Sequence, residues 1–177
     1  MNFATIGQLR KVFDDMQQKG IIGPYAVGGA FAATLHNEPI ATADLDIFFL
    51  CAQQPAGLVL DLSAIYDYAR ELGFGFDHEF VEILGWLVQF VESSTDPLWR
   101  DAIKNSQTVN FVGVDLPVIR PDYLVAMWLQ AGRQKDYDKI RMFADAGLID
   151  FENLRIVDSY GLSEKWEKAK HRLFHED

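Results

Sequence analysis

Two aspartates, Asp44 and Asp46, stand two positions apart in the segment Asp44-Leu45-Asp46 and are the residues whose spacing best suits chemistry. On a β-strand the side chains at i and i+2 leave the same face, so the two carboxylates would stand side by side. Like charges at that separation repel, and a shared divalent cation relieves the repulsion. Mg²⁺ is the hard, oxygen-seeking ion that one or two carboxylates hold together with substrate phosphates. Upstream, Gly28-Gly29 follows the apolar run Tyr25-Ala26-Val27 and precedes the helix-forming stretch AFAATLH. A glycine pair at such a junction lets a phosphate approach backbone N–H groups at the positive end of a helix. Each part also has a plain reading, the aspartates as solvated acids at a loop-to-strand junction and the glycines as a turn. Their order (strand, glycine pair, helix, loop, Asp-x-Asp strand) gives them one purpose, a site for a nucleoside triphosphate with Mg²⁺.

The elements that must position these residues follow from periodicity and punctuation. Leu9, Val12, Phe13 and Met16 recur at helical spacing from about Ile6 to Lys19, and Gly20 stops that helix. Leu45 to Leu50 is rich in β-branched and aromatic residues and reads as a buried strand entered through Asp44. Leu58 to Leu72 reads as a helix ended by Gly73. Phe80 to Leu84 and Leu87 to Val91 read as a hairpin turning at Gly85-Trp86. A helix is expected around Leu98 to Asn105, then a strand pair from Thr108 to Ile119 with Gly113 and Asp115 at its turn. From Pro121, suited to a first helical turn, the pattern becomes helical to the end. The expected architecture is α/β (α+β), a mixed sheet flanked by helices. It divides into an α/β core over 1–119 and a C-terminal helical segment over 120–177 packed on that core.

Composition bounds the function. The 177 residues are 49% hydrophobic and 24% charged, enough apolar surface for a core without disulfides or a structural metal. Cys51 is the single cysteine, which fits a reducing compartment and excludes a cysteine-rich zinc site. No signal-peptide layout opens the sequence and no apolar run approaches membrane-spanning length, so a cytoplasmic protein with no membrane partner is expected. A net charge of -10 disfavours extensive nucleic-acid binding and leaves room only for a local basic site.

The segment YAVGGAFAATLHNEPIATADLDIFF resembles the signature of the DNA polymerase β-like nucleotidyltransferase superfamily, in particular the minimal bacterial group related to abortive-infection AbiEii-type toxins. The segment RPDYLVAMWLQAGRQKDYDKIRMFADAG is similar to the helical part in which those proteins carry a lysine–aspartate pair, matched by Lys135-Asp136. The resemblance covers roughly residues 20 to 147. It implies that Gly28 and Gly29 contact triphosphate, that Asp44 and Asp46 hold Mg²⁺, and that Lys135 neutralises phosphate charge. The implied reaction is attack of an acceptor hydroxyl on the α-phosphorus with loss of pyrophosphate, the acceptor being unspecified. Three departures stand out. The place of the family's third carboxylate falls on Gln89, with Glu82 across the hairpin as a substitute if it faces the same way. Ile40 stands where related chains have an arginine, and the stretch from Gly29 to Asp44 is slightly long.

Other features have competing readings. Arg133, Lys135, Lys139 and Arg141 form a basic cluster, but the interleaved Asp136 and Asp138 equally describe a solvated, salt-bridged face. His36 follows the helix beside the proposed site and reads either as a base contact or proton-transfer group, or as an exposed or hydrogen-bonded structural residue. His78, His171 and His175 lack metal-ligand spacing, and Trp128 and Trp166 read as core. Two functions compete: an Mg²⁺-dependent nucleotidyltransferase, and a catalytically weakened nucleotide-binding or partner-binding module, as in a toxin–antitoxin pair with a protein partner.

Overall fold

The computed structural model describes residues 5–36, 42, 44–52 and 62–174. The first helix, α1 (Ile6–Gln18), buries Ile6, Leu9, Phe13 and Met16, one apolar stripe at helical spacing. β1 (Tyr25–Val27) runs through Gly28 directly into α2 (Gly29–Leu35). β2 (Asp44–Phe49) carries the aspartate pair, and its Leu45 and Ile47 are buried while Asp44 and Asp46 are half-buried. The next elements are α3 (Ser63–Glu71), β3 (Gly75–Asp77), β4 (Phe80–Ile83), β5 (Trp86–Glu92), α4 (Pro97–Lys104), β6 (Gln107–Phe111) and β7 (Val114–Val118). The chain closes with α5 (Pro121–Ala131), α6 (Gln134–Asp145), α7 (Ile156–Ser159) and α8 (Ser163–Phe174).

The seven strands of the described residues join one mixed sheet in the order β3-β4-β5-β2-β1-β7-β6. β2 lies in the middle, antiparallel to β1 and parallel to β5. Side-chain alternation then gives the two faces of β2 different work. On one face Phe49 meets Phe90 edge-on at 6.4 Å, and Phe90 meets Phe13 of α1 at 6.0 Å. On the other, Phe48 meets Trp99 of α4 at 5.5 Å, alongside Asp44 and Asp46. Burial of the first face anchors the register, because a slip of one residue would turn Asp46 into the core. A single cluster of buried apolar side chains extends from Ile6 in α1 to Ala169 in α8, so the helices after residue 120 share the core of the strands. Among the described residues no helix is long and apolar enough to cross a membrane.

The structure corrects several expectations. The β4–β5 turn is Leu84-Gly85, not Gly85-Trp86: both residues have positive φ, 55° and 82°, as a two-residue hairpin loop that matches strand twist requires. Burial decides the register, since Trp86 is drawn into β5 with no exposed surface and its indole N–H donates to Thr5 Oγ1 at 2.8 Å. Similarly, Val112-Gly113 forms the β6–β7 turn, and Asp115 is a strand residue opposite Asn110, accepting from its Nδ2 at 2.7 Å. β3 leaves no strand signal in the sequence, being short, exposed and begun by a glycine. The helix expected over Leu58 to Leu72 is present as α3 from Ser63; residues 58–61, like Ile40 and His175, lie outside the described residues.

Candidate functional site

The β2–β5 register places Asp44 beside Leu87 and Asp46 beside Gln89, so Asp44, Asp46 and Gln89 share a face. Asp44 is oriented by Thr42, whose hydroxyl donates to its Oδ1. Asp46 is more enclosed: burial, with Asp44 next to it, pushes its carboxyl up from 3.8 to about 6, against the pull of Lys139, Arg133 and Lys135. The glycine pair explains part of that enclosure. Gly28 donates its N–H to the Asp46 carbonyl at 2.9 Å. Gly29, at φ 60°, lies so close that a Cβ on it would meet Asp46 Oδ2 at 1.7 Å. Only glycine fits there, for its conformation and for the approach of backbone to carboxylate.

Facing the aspartates is the first half of α6. Arg133, its N-cap, and Lys135 and Lys139 on the helix all line the same cleft as Gly29, Asp44, Asp46 and Gln89. Asp136 sits behind them with no exposed surface and accepts from Arg133 Nε at 2.7 Å and Lys139 Nζ at 3.5 Å. Lys139 Nζ also stands 5.3 Å from the centre of the Trp128 ring, a cation–π contact. The cleft has a volume of about 660 Å³, and beyond its charged part the wall is apolar, with Phe48, Val91, Trp99, Leu124 and Met127. Trp99 is fixed by a chain of hydrogen bonds: its indole N–H donates to Gln130 Oε1 at 2.8 Å, and Gln130 Nε2 donates to Asp96 Oδ2 at 2.9 Å. Asp96 caps α4 through its other oxygen, accepting from the N–H groups of Leu98 and Trp99.

Of the residues singled out in the sequence, Gly29, Asp44, Asp46, Gln89 and Lys135 meet at this cleft, while Gly28 lies behind it against the Phe48 ring. Glu82 is not brought there. It shares a face with Asp44 across Leu87, but two strand spacings, about 9–10 Å, intervene, and its carboxylate lies beside Gly75 instead. Among the described residues no group of three His, Cys, Asp or Glu side chains converges to hold a metal. His36 is structural: its Nε2 donates to the Ile119 carbonyl at 2.8 Å, its Nδ1 meets Gln107 Nε2 at 3.3 Å, and burial lowers its pKa. Arg141 faces Asp145 at 3.8 Å and takes no part in the cleft. Trp166 is core, whereas Trp128 is both buried and part of the cleft wall. Trp99 and Met127 carry no signal of their own in the sequence, and Asp136 shows there only as half of a lysine–aspartate pair and as one acid of a salt-bridged face, not as a buried carboxylate. The signal for its ion pairs is there, a carboxylate three residues from a cation on either side.

With the geometry established, comparison with known proteins is informative at the level of architecture. Two solved structures of the antibiotic-resistance factor ANT(2'')-Ia superimpose over almost the whole chain. The solution structure gives a TM-score of 0.56 at 11% identity, covering 99% of this chain and 100% of that one. The crystal structure of ANT(2'')-Ia with adenylyl-2''-tobramycin gives 0.52 at 11% identity, covering 96% and 98%. The chain has a nucleotidyltransferase-like fold. No protein-family model and no curated protein sequence matches it. At this identity the likeness concerns the path of the backbone, and the chemistry of the cleft lies in its own side chains.

Proposed function

We propose that the cleft binds a nucleoside triphosphate with Mg²⁺ and transfers its nucleoside monophosphate to an acceptor hydroxyl. The observation that carries this reading is the pairing of opposite walls: Asp44 and Asp46 on β2 face Arg133, the N-cap of α6, and Lys135 and Lys139 on that helix across one cleft. A chain of polyphosphate oxygens with a bound divalent cation is the ligand that satisfies both walls at once.

The residues fit Mg²⁺. Two hard oxygen donors are held together on one strand, and burial beside Asp44 leaves the Asp46 anion poorly solvated, a cost that a divalent cation removes. When bound, Mg²⁺ would supply charge neutralisation to the phosphate oxygens and the departing pyrophosphate. The chain's own residues do the rest. Thr42 orients Asp44. Gly29 leaves space at Asp46 Oδ2. Arg133, Lys135 and Lys139 receive phosphate charge, and the apolar wall around Trp99 and Met127 takes the base. ANT(2'')-Ia has been solved with adenylyl-2''-tobramycin; on this chain the net charge of -10 would favour a cationic, polyhydroxylated acceptor.

Gln89 favours a second reading. Its amide stands beside Asp46 but has no titrating group, so at that position no carboxylate takes the acceptor's proton or completes a second cation site. On that reading the chain binds nucleotide and Mg²⁺ with little turnover, as a module of an AbiEii-related toxin–antitoxin pair or a similar assembly.

Thermal unfolding with each of the four triphosphates, with and without Mg²⁺, tests binding; saturation at 100 times the dissociation constant should add about 2.7 kcal/mol. The gain should require Mg²⁺ and vanish in Asp44→Asn. Pyrophosphate release in the presence of aminoglycosides and simple polyols then separates the readings. Release supports transfer, binding without release supports the module, and absence of any triphosphate effect overturns both.

A further inference from the structure

The cationic wall is organised by a carboxylate that does not line the cleft. Asp136 has no exposed surface, and both its oxygens are engaged: Oδ2 accepts from Arg133 Nε at 2.7 Å, while Oδ1 accepts from Arg133 Nη2 at 3.3 Å and Lys139 Nζ at 3.5 Å. A buried anion is costly unless it is paired and hydrogen-bonded, and these two cations meet that need. The exposures of the partners show which way the arrangement faces. Arg133 keeps 59% of its side chain exposed and Lys139 16%, and both line the cleft. Asp136 is thus a fixed point at the root of two cations whose outer surfaces are open to a ligand. Lys135, one residue away, lines the same cleft but makes no ion pair among the described residues, and Asp46 feels Lys139 and Arg133 more strongly than it feels Lys135.

We infer that Asp136 is the positioning residue of the cleft, holding Arg133 and Lys139 as a preorganised pair that grips the outer phosphates of a triphosphate. The inference rests on the nucleotide reading above and extends it to Asp136, which lies outside the cleft and fixes two of its cations. Long cationic side chains lose rotamer freedom when they close on a ligand. A buried carboxylate that has already ordered them removes that loss from the binding step. Arg133 meets Asp136 through two nitrogens, Nε and Nη2, which fixes the plane of its guanidinium as well as its position.

Asp136→Asn keeps the shape and removes the charge, and it sets two effects against each other. By Coulomb's law alone, losing a negative charge behind the cleft makes it more positive and triphosphate binding tighter. By positioning, the released cations bind more weakly. Calorimetric titration of the full chain with ATP and with AMP, each with Mg²⁺, reads the difference. The expected result is about a tenfold weaker grip on ATP, the size of a lost charge-assisted hydrogen bond, with AMP affinity changed less than about twofold. A stability defect alone would weaken both nucleotides together. ATP bound equally or more tightly by Asp136→Asn overturns the inference and leaves the nucleotide reading intact. ATP ignored by the native chain overturns the nucleotide reading and this inference with it. Should Asp136→Asn fail to fold, Arg133→Met and Lys139→Met carry the test. Each must weaken ATP at least about threefold, and native affinity in either overturns the inference.

Discussion

Replacing Asp46 with asparagine should make the protein more stable while abolishing its proposed ligand. Burial beside Asp44 raises the Asp46 carboxyl from 3.8 to about 6 even with three cations pulling it down. Between those values the folded chain still holds a proton that the unfolded chain has released. Stability therefore falls as pH rises from about 4 to about 6 and stays low above that. A rise of about two units is worth about 3 kcal/mol at pH 7.5. Asparagine has nearly the same shape and no charge to desolvate, so it recovers about 2–3 kcal/mol of that. For a chain of this size the midpoint gain is about 4–10 °C. At pH 5 the native carboxyl is mostly protonated, and the advantage of the variant should shrink to about 1.5 kcal/mol. Chemical denaturation of both proteins at pH 5 and pH 7.5, in EDTA, measures the two gaps. Adding Mg²⁺ and triphosphate should raise the native midpoint only. A variant no more stable than the native chain at pH 7.5, or a gap independent of pH, would refute the reasoning.

Gly29→Ala combines a left-handed backbone at φ 60° with a methyl that would meet Asp46 Oδ2 at 1.7 Å. It should cost about 2–4 kcal/mol in urea unfolding, whereas Gly73→Ala, at φ 72° in open space, should cost about 1 kcal/mol from backbone strain alone. Gln89→Asp puts a third carboxylate in register with Asp46. It should lower the melting temperature in EDTA and tighten Mg²⁺ or Mn²⁺ about tenfold in calorimetric titration.

What was legible in the sequence was local. The period-2 pattern of β2 and the glycine pair before α2 were enough to put Asp44, Asp46 and Gly29 in one place, and the structure keeps them there. Gln89 was matched to the third position by resemblance, and the parallel β2–β5 pairing puts it beside Asp46. Glu82 failed because facing the same way is not the same as being near: alternation gives the face of a strand, not the number of strands between two residues. The hairpin turn failed by one residue because Trp86 gains more from burial in β5 than a turn position offers it.

The charges of α6 were ambiguous for a different reason. Cations and acids interleaved along a helix describe a solvated face and a ligand-binding face equally well, until the buried side is known. Ile140 and Phe143 face the core, and Asp136 is drawn in with them at 0% exposure, which leaves Arg133, Lys135 and Lys139 at the cleft opposite β2. The acids of that helix are therefore not equivalent: Asp136 is spent inside, and Asp138 remains exposed. Each wall also limits the other's cost. Asp46, desolvated and crowded by Asp44, is eased by the three cations, and Arg133 is held charged most by its hydrogen bonds to Asp136 and further by the field of Asp46. Two segments nearly ninety residues apart thus form one electrostatic unit across the cleft. Removing one wall should change the protonation and stability of the other before any ligand is added.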